Sequence, residues 1–202
     1  MNATPQHRAI PWLPLIIWLP VAVALLVFAT SRLSADLGAV PFSFAIGGGL
    51  IGWTLFEYLL HRYLFHWERK DWMGRVMETI HGKHHDNPDD LALAIVPPQN
   101  AFLILLPVTI CLACVPPLAL LPAFVGAFIL GYLAYEYLHL AIHAAPLTSQ
   151  WGRRLQRNHL AHHHSNSARN FGVTSPLWDL LFNTRRNNLH SNNPPHPHIT
   201  VP

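Results

Sequence analysis

Residues 91–135 read LALAIVPPQNAFLILLPVTICLACVPPLALLPAFVGAFILGYLAY and contain no Asp, Glu, Lys, Arg or His. A helix that crosses a membrane needs roughly 20 apolar residues, so this run is long enough for two such helices. Pro116-Pro117 is the natural turn between them, because proline lacks the helical N–H donor and restricts the residue before it. The run therefore predicts a pair of membrane helices joined by a short turn.

Two further charge-free runs precede it, at residues 9–31 and 37–56, and each fits one crossing. Hydrophobic residues make up 51% of the 202-residue chain and charged residues only 11%, against about 25% charged in soluble domains. These patterns predict an all-α integral membrane protein with four transmembrane helices, at about 10–30, 38–60, 99–115 and 118–138. They also predict a single membrane domain over residues 1–189, followed by a disordered Pro/Asn-rich tail at 190–202.

The basic residues predict which side of the membrane each segment faces. They are concentrated between the second and third helices and after the fourth: Arg62, Arg69, Lys70, Arg75, Lys83, Arg153, Arg154, Arg157, Arg169, Arg185 and Arg186. Because cytoplasmic loops carry an excess of Lys and Arg, both termini and the 61–92 loop are predicted to be cytoplasmic. The expected location is a bacterial inner membrane, or otherwise the endoplasmic reticulum. The formal net charge of +3 is too small and too dispersed to predict nucleic-acid binding.

Most of the 15 histidines are concentrated in four short motifs. The motifs are HRYLFH (61–66), HGKHH (81–85), HLAIH (139–143) and HLAHHH (159–164). Each motif lies at the cytoplasmic end of a predicted membrane helix or in a predicted cytoplasmic segment. Four motifs that are distant in sequence are therefore expected to meet at one membrane surface.

The spacing within the motifs favours metal binding over solvated loop histidines. Positions i, i+3 and i+4 share one helix face, so HGKHH and HLAHH are each predicted to aim three imidazoles at one point. His61 and His66 are five apart and do not share a face of a continuous helix, so the helix must end or bend between them. Imidazole suits iron, zinc, copper and nickel. The number of candidate ligands exceeds what one ion takes, which predicts two metal ions.

Other kinds of metal protein fit the pattern less well. A zinc peptidase needs HExxH, and Leu140 stands where its glutamate would be. A carboxylate-bridged di-iron site could use Glu78 and Glu136, with Glu57 and Glu68, but it leaves most of the histidines unused. Glu57 and Glu136 are instead predicted to orient imidazoles. A metal transporter would place its ligands near the middle of the bilayer, where the long apolar run has none.

A histidine-rich centre above helices that can enclose an apolar chain suits oxygen activation on a lipid. Zinc has no redox chemistry, so iron is the expected metal. The segments that carry the motifs resemble the fatty acid hydroxylase superfamily, and within it the fatty acid 2-hydroxylases. They are WTLFEYLLHRYLFH (53–66), HGKHHDNP (81–88) followed by VPP (96–98), YEYLHLAIH (135–143) and RNHLAHHHSNSARNFGVTSPLWDLLFNT (157–184).

The resemblance implies a membrane core under a cytoplasmic helical cap that holds a di-iron site, with zinc as a substitute in purified protein. Matched by position, the metal ligands are His61, His66, His81, His84, His85, His139, His143, His159, His162 and His163. His164 falls just outside the last motif. The implied reaction is O2-dependent hydroxylation of lipid acyl chains, most simply at carbon 2, with electrons from a separate ferredoxin or cytochrome b5-type protein. Desaturation, and hydroxylation of sterols or carotenoids, remain open.

Overall fold

The computed structural model describes residues 11–32, 38–66, 70–113 and 118–186, with only the backbone of residues 112 and 113. Within these residues every regular element is helical, which confirms the predicted all-α class. The turn predicted at Pro116-Pro117 and the tail predicted at 190–202 lie outside them.

Eight α-helices and three other helical segments make up this part of the chain. The α-helices are α1 Leu13–Arg32, α2 Ala39–Leu59, α3 Trp72–Met77, α4 Lys83–Asp86, α5 Pro98–Ala113, α6 Leu121–Ala144, α7 Gln150–His164 and α8 Leu177–Leu181. The others are the π-helical segments Leu60–Phe65 and Glu78–Gly82 and the 3-10 turn Leu118–Leu120. The first π-helical segment continues α2, and the second joins α3 to α4.

Three helical stretches are long and apolar enough to cross a membrane: Leu13–Arg32, Ala39–Phe65 and Leu118–Ala144. They correspond to the first, second and fourth predicted crossings. The third predicted crossing corresponds to α5, of which the structure describes 16 residues, fewer than the roughly 20 that a crossing requires. Helix length alone therefore identifies three crossings within the described residues.

Helix α6 lies at the centre of the membrane part, between α1 and α2. In its most apolar stretch 56% of the residues are buried, against 22% for α1 and 17% for α2. Small residues bring the helices close together: a Cβ atom on Gly49 would lie 2.4 Å from the carbonyl oxygen of Phe124, and one on Gly131 would lie 2.6 Å from Cβ of Trp53. Such close packing is the usual way in which membrane helices associate.

Helix α7 packs against the C-terminal end of α6 through its apolar and histidine-bearing face. It begins after Ser149, whose hydroxyl accepts a hydrogen bond from the Gly152 amide at 3.0 Å, as in a typical N-cap. Gln156 fixes its position, since Nε2 donates to the carbonyl oxygen of Ile142 in α6 at 2.8 Å. The side chains of His159 and His162 are thereby buried against the end of the membrane bundle.

Candidate metal centre

The structure brings the ten sequence-predicted histidines together and divides them into two groups. Group one contains His61, His66, His81, His85 and His162. Group two contains His84, His139, His143, His159 and His163. In each group the five nearest ring nitrogens all lie within 4.8 Å of one another. His164 is exposed and belongs to neither group.

A π-helical segment allows His61 and His66 to serve the same group. In a π-helix the hydrogen bond joins residues i and i+5 instead of i and i+4. His61 lies within the segment Leu60–Phe65 and His66 follows it directly, and their ring centroids are 5.0 Å apart. The sequence predicted that the helix must end or bend between these residues; the structure shows that it widens instead.

The expectation that HGKHH and HLAHH each point at one site is wrong. His81 and His85 belong to group one, whereas His84 belongs to group two. In α7, His159 and His163 belong to group two, whereas His162 belongs to group one. Neighbouring positions on an α-helix diverge by about 100°, so the two histidines of each HH doublet face different centres.

The ring nitrogens of group two are arranged around a common point. Nε2 of His159 lies 2.9 Å from Nε2 of His139. It also lies 3.0 Å from the same atom of His143 and of His163. One imidazole nitrogen has either a proton or a lone pair, so it cannot satisfy three hydrogen bonds at once. Lone pairs that converge on a cation fit this geometry.

Group one has the same character. Nε2 of His66 lies 3.0 Å from Nε2 of His162 and 3.3 Å from that of His81. Nε2 of His61 is buried and has no hydrogen-bond partner among the described residues. An unpartnered buried nitrogen costs free energy unless something binds it. The residues of both groups therefore fit a metal ion.

Three of the rings donate a hydrogen bond through Nδ1, the nitrogen opposite the converging Nε2 atoms, to a backbone carbonyl oxygen. The contacts are His61 Nδ1 to Phe171 O at 2.6 Å, His139 Nδ1 to Ala94 O at 2.8 Å and His162 Nδ1 to Arg169 O at 2.7 Å. Because a carbonyl oxygen only accepts, each Nδ1 carries the proton and each Nε2 keeps its lone pair. Such contacts commonly fix the orientation and tautomer of metal-binding histidines.

Burial lowers the pKa, and so favours the neutral form, of four group histidines that lie outside the membrane-spanning stretches. Burial lowers the pKa of His66 and of His85 to about 4. Burial also lowers the pKa of His162 to about 3. Burial, and then the neighbouring His139, lower the pKa of His84 to about 2. Metal binding requires unprotonated nitrogen, so at neutral pH an incoming ion does not have to displace protons from these residues.

The two carboxylates predicted to orient imidazoles make their hydrogen bonds to loops. Both are buried, and their hydrogen bonds within the described residues go to other groups. Glu57 accepts from the amides of Val173 at 2.5 Å and Thr174 at 3.1 Å, and from the Thr174 hydroxyl. Glu136 accepts from the amide of Val96 at 3.0 Å. Among the described residues, which do not include Glu68, both groups consist of histidine alone, and this disfavours a carboxylate-bridged centre.

Sequence reasoning missed Asp179. It is 2% exposed and accepts hydrogen bonds from the amides of Phe171 at 2.9 Å and Gly172 at 2.8 Å. Phe171 is the residue whose carbonyl contacts His61. The available signal was an isolated acidic residue in the otherwise apolar segment PLWDLLF, because a charge in such a segment usually has a buried partner.

A narrow cavity of about 20 Å³ lies beside the centre, between α2, α5 and α6. His61 is the histidine of the two groups that lines it. Most of the other lining side chains are apolar, among them Leu60, Ile104 and Leu105. The cavity therefore places a small apolar space, with room for about one water molecule, directly beside the metal centre.

Residues 46–184 match the sequence profile of the fatty acid hydroxylase family. The chain belongs to this family. It is 32% identical to a dihydroceramide fatty acyl 2-hydroxylase of Arabidopsis thaliana. The alignment spans 178 residues, which are 88% of this chain and 74% of that protein. It is 29% identical to the human fatty acid 2-hydroxylase, over 86% of this chain and 50% of the human one.

A solved structure supports the same assignment. The structure of full-length Scs7p, in which only the hydroxylase domain is visible, matches with a TM-score of 0.81 and 29% identity, over 91% of this chain and 69% of that one. As a member of this family, the protein is a lipid hydroxylase. Its long apolar helices indicate that it is a membrane protein.

Proposed function

We propose that this fatty acid hydroxylase family member uses two iron ions, one in each histidine group, and O2 to hydroxylate carbon 2 of a lipid acyl chain. The observation that carries the proposal is the position of His61, which belongs to group one and also lines the apolar cavity. A substrate chain in that cavity would lie against the metal centre. The carbon nearest the centre is then the one that reacts.

The choice of iron follows from the ligands and the reaction. An all-imidazole set is compatible with iron, zinc, copper and nickel, but zinc has no redox chemistry. Zinc can nevertheless occupy the same ligands in purified protein. When bound, the iron pair supplies oxygen activation; the protein holds the rings in place and keeps their Nε2 atoms unprotonated.

The cavity supports an acyl chain as the substrate and carbon 2 as the position. Ile104 and Leu105 of α5 face the apolar residues of α2 and α6 across it, so its walls are mostly apolar, and an acyl chain would enter by separating these side chains. A lipid whose head group stays at the membrane surface would place a carbon near the head group beside His61. The names of the Arabidopsis and human relatives, which specify 2-hydroxylation, agree with this arrangement.

We further propose four crossings, with the centre and both termini in the cytoplasm. Helices α2 and α6 both end at the centre, so the chain between them must return to the opposite surface, and α5 supplies the apolar helix for that return. The Tyr137 hydroxyl donates to the carbonyl oxygen of Pro11 at 2.8 Å. The start of α1 is therefore near the same end of α6 as the histidines.

The reaction consumes O2, two electrons and two protons, and it converts one C–H bond to C–OH and releases one water. We propose a separate ferredoxin or cytochrome b5-type protein as the electron donor. The exposed Arg153 and Arg157 on α7, the helix that bears His159 and His162, provide positive charge for an acidic donor near the centre.

An oxygen-18 experiment tests the proposal. Purified, iron-loaded protein is reconstituted in lipid vesicles with a reduced ferredoxin or cytochrome b5, ¹⁸O2 and acyl lipids. A 2-hydroxyacyl product that contains oxygen-18 supports the proposal. A product two hydrogens lighter without oxygen identifies a desaturase, and oxygen on an added sterol or carotenoid but not on acyl chains identifies a different substrate. Metal flux without lipid turnover identifies a transporter.

A further inference from the structure

Two imidazoles of group one rest on one short loop, residues 169–174. His61 contacts the carbonyl oxygen of Phe171 at 2.6 Å, and His162 contacts that of Arg169 at 2.7 Å. Between these two carbonyls lies Asn170, a buried residue with a positive φ of 58°. This conformation is uncommon for a residue other than glycine and persists only when its surroundings fix it.

Two buried carboxylates accept hydrogen bonds from the backbone of this loop. Asp179 accepts the amides of Phe171 and Gly172 at 2.9 and 2.8 Å. Glu57 accepts the amides of Val173 and Thr174 at 2.5 and 3.1 Å. A buried carboxylate is expensive unless several donors bind it, and here the donors are consecutive amides of the loop that supports group one.

Group two depends on a different carboxylate and a different segment. His139 contacts the carbonyl oxygen of Ala94 at 2.8 Å. The amide of Val96, two residues further on, donates to Glu136 at 3.0 Å. Glu136 is 0% exposed and lies one helical turn before His139 in α6.

We propose that Glu57 and Asp179 are positioning residues for group one and that Glu136 is the positioning residue for group two. Each carboxylate acts through a backbone segment whose carbonyl oxygen orients a histidine of that group. The inference rests on the proposed dimetal centre, and it adds that the two metal ions have separate supports.

Metal content and histidine footprinting test this assignment in the full-length protein. The variants are Glu57→Gln, Asp179→Asn and Glu136→Gln, which keep the size of each side chain. Diethyl pyrocarbonate modifies free imidazoles, and the half-buried histidines of each group serve as reporters: His66 and His85 for group one, and His143 and His163 for group two.

The expected result is a selective loss. Glu57→Gln and Asp179→Asn should weaken iron binding to group one by about 10- to 100-fold, the usual effect of removing a partner of a metal ligand. Their metal content should fall towards one ion per chain, with faster modification of His66 and His85 only. Glu136→Gln should instead expose His143 and His163 to the reagent.

A matched control separates positioning from general stability. Thr54→Val removes the acceptor of the Trp178 indole, a bond of 3.0 Å that also joins α2 to the C-terminal segment but touches neither loop. It should leave both ions in place. If Glu57→Gln does not fold, Thr174→Val removes a single donor to Glu57 and should weaken group one alone.

Two outcomes would overturn the inference and leave the proposed function intact. In one, wild-type protein binds two ions and every carboxylate variant retains both. In the other, each variant loses both ions together, as a purely structural residue would cause. Wild-type protein that binds no metal would instead contradict the proposed function itself.

Discussion

Among single residues, the doublets His84-His85 and His162-His163 connect the two groups. Each doublet gives one imidazole to each group. The rings of His85 and His163, which belong to different groups, stack with centroids 4.1 Å apart. A change at one of these residues therefore affects the packing of a ring in the other group as well as its own metal ion.

The adjacent residues His163 and His164 give the most direct test of the ligand set. His163→Ala should lower hydroxylation and metal affinity by at least about tenfold, because it removes one of five converging nitrogens. His164→Ala should retain most of the wild-type rate, because this side chain is exposed and lies in neither group. Turnover with a lipid substrate and metal content measure both effects. An equal loss in the two variants would contradict the assignment.

The sequence singled out the ten histidines that the structure gathers together, but it did not predict their division into two groups. Spacing tells which residues share a helix face, and the resemblance selected the same positions. Whether His84 joins His81 or His139 depends on where α4 lies relative to α6, which helix spacing does not specify. The same limit applies to Glu57 and Glu136: burial beside the histidines was predictable, whereas contact with a loop distant in sequence was not.

Among the helices, the positions of the long apolar ones were predictable and their irregularities were not. A long run without charged residues is stable only inside a membrane or a protein core. The predicted positions of α1, α2 and α6 are therefore close to the observed ones. The π-helical segment Leu60–Phe65 has an ordinary helical composition. Nothing in this composition separates the segment from a continuous α-helix, so the local sequence does not predict the widened turn.

The close contact between α2 and α6 predicts a position-specific effect on stability. Gly49→Ala should lower the free energy of unfolding by about 1–3 kcal/mol, because its new Cβ would meet backbone atoms of α6 that cannot move aside. Gly47→Ala in the same helix meets nothing within 4 Å and should be neutral or slightly stabilising. Thermal unfolding in detergent measures both. A larger loss for Gly47→Ala would refute the observed helix packing.

Helix α5 provides a test of the acyl-chain cavity. Ile104→Trp should fill the cavity and lower hydroxylation by about tenfold or more, equivalent to about 1.4 kcal/mol in the barrier. Metal content should stay at the wild-type level, since no histidine is changed. Leu103→Trp is the matched control, because Leu103 is 64% exposed and does not line the cavity. Unchanged turnover in Ile104→Trp would show that the substrate binds elsewhere.

For the whole molecule, the path of the chain across the membrane determines whether four distant motifs can meet. With four crossings, single cysteines at residues 34–37 and at 116–118 should react with an impermeant reagent from the side opposite the cytoplasm. The background for this labelling is a chain in which Cys111 and Cys114 are replaced by serine. Labelling of residue 116 from the cytoplasmic side would remove one crossing and contradict the proposed topology.

The proposed dimetal centre depends on both histidine groups being occupied at the same time. Elemental analysis of protein purified under iron supply measures this directly, as the number of metal ions per chain. Two separate sets of five converging nitrogens predict a value close to two. A reproducible value of one or zero in folded, homogeneous protein would contradict the dimetal centre.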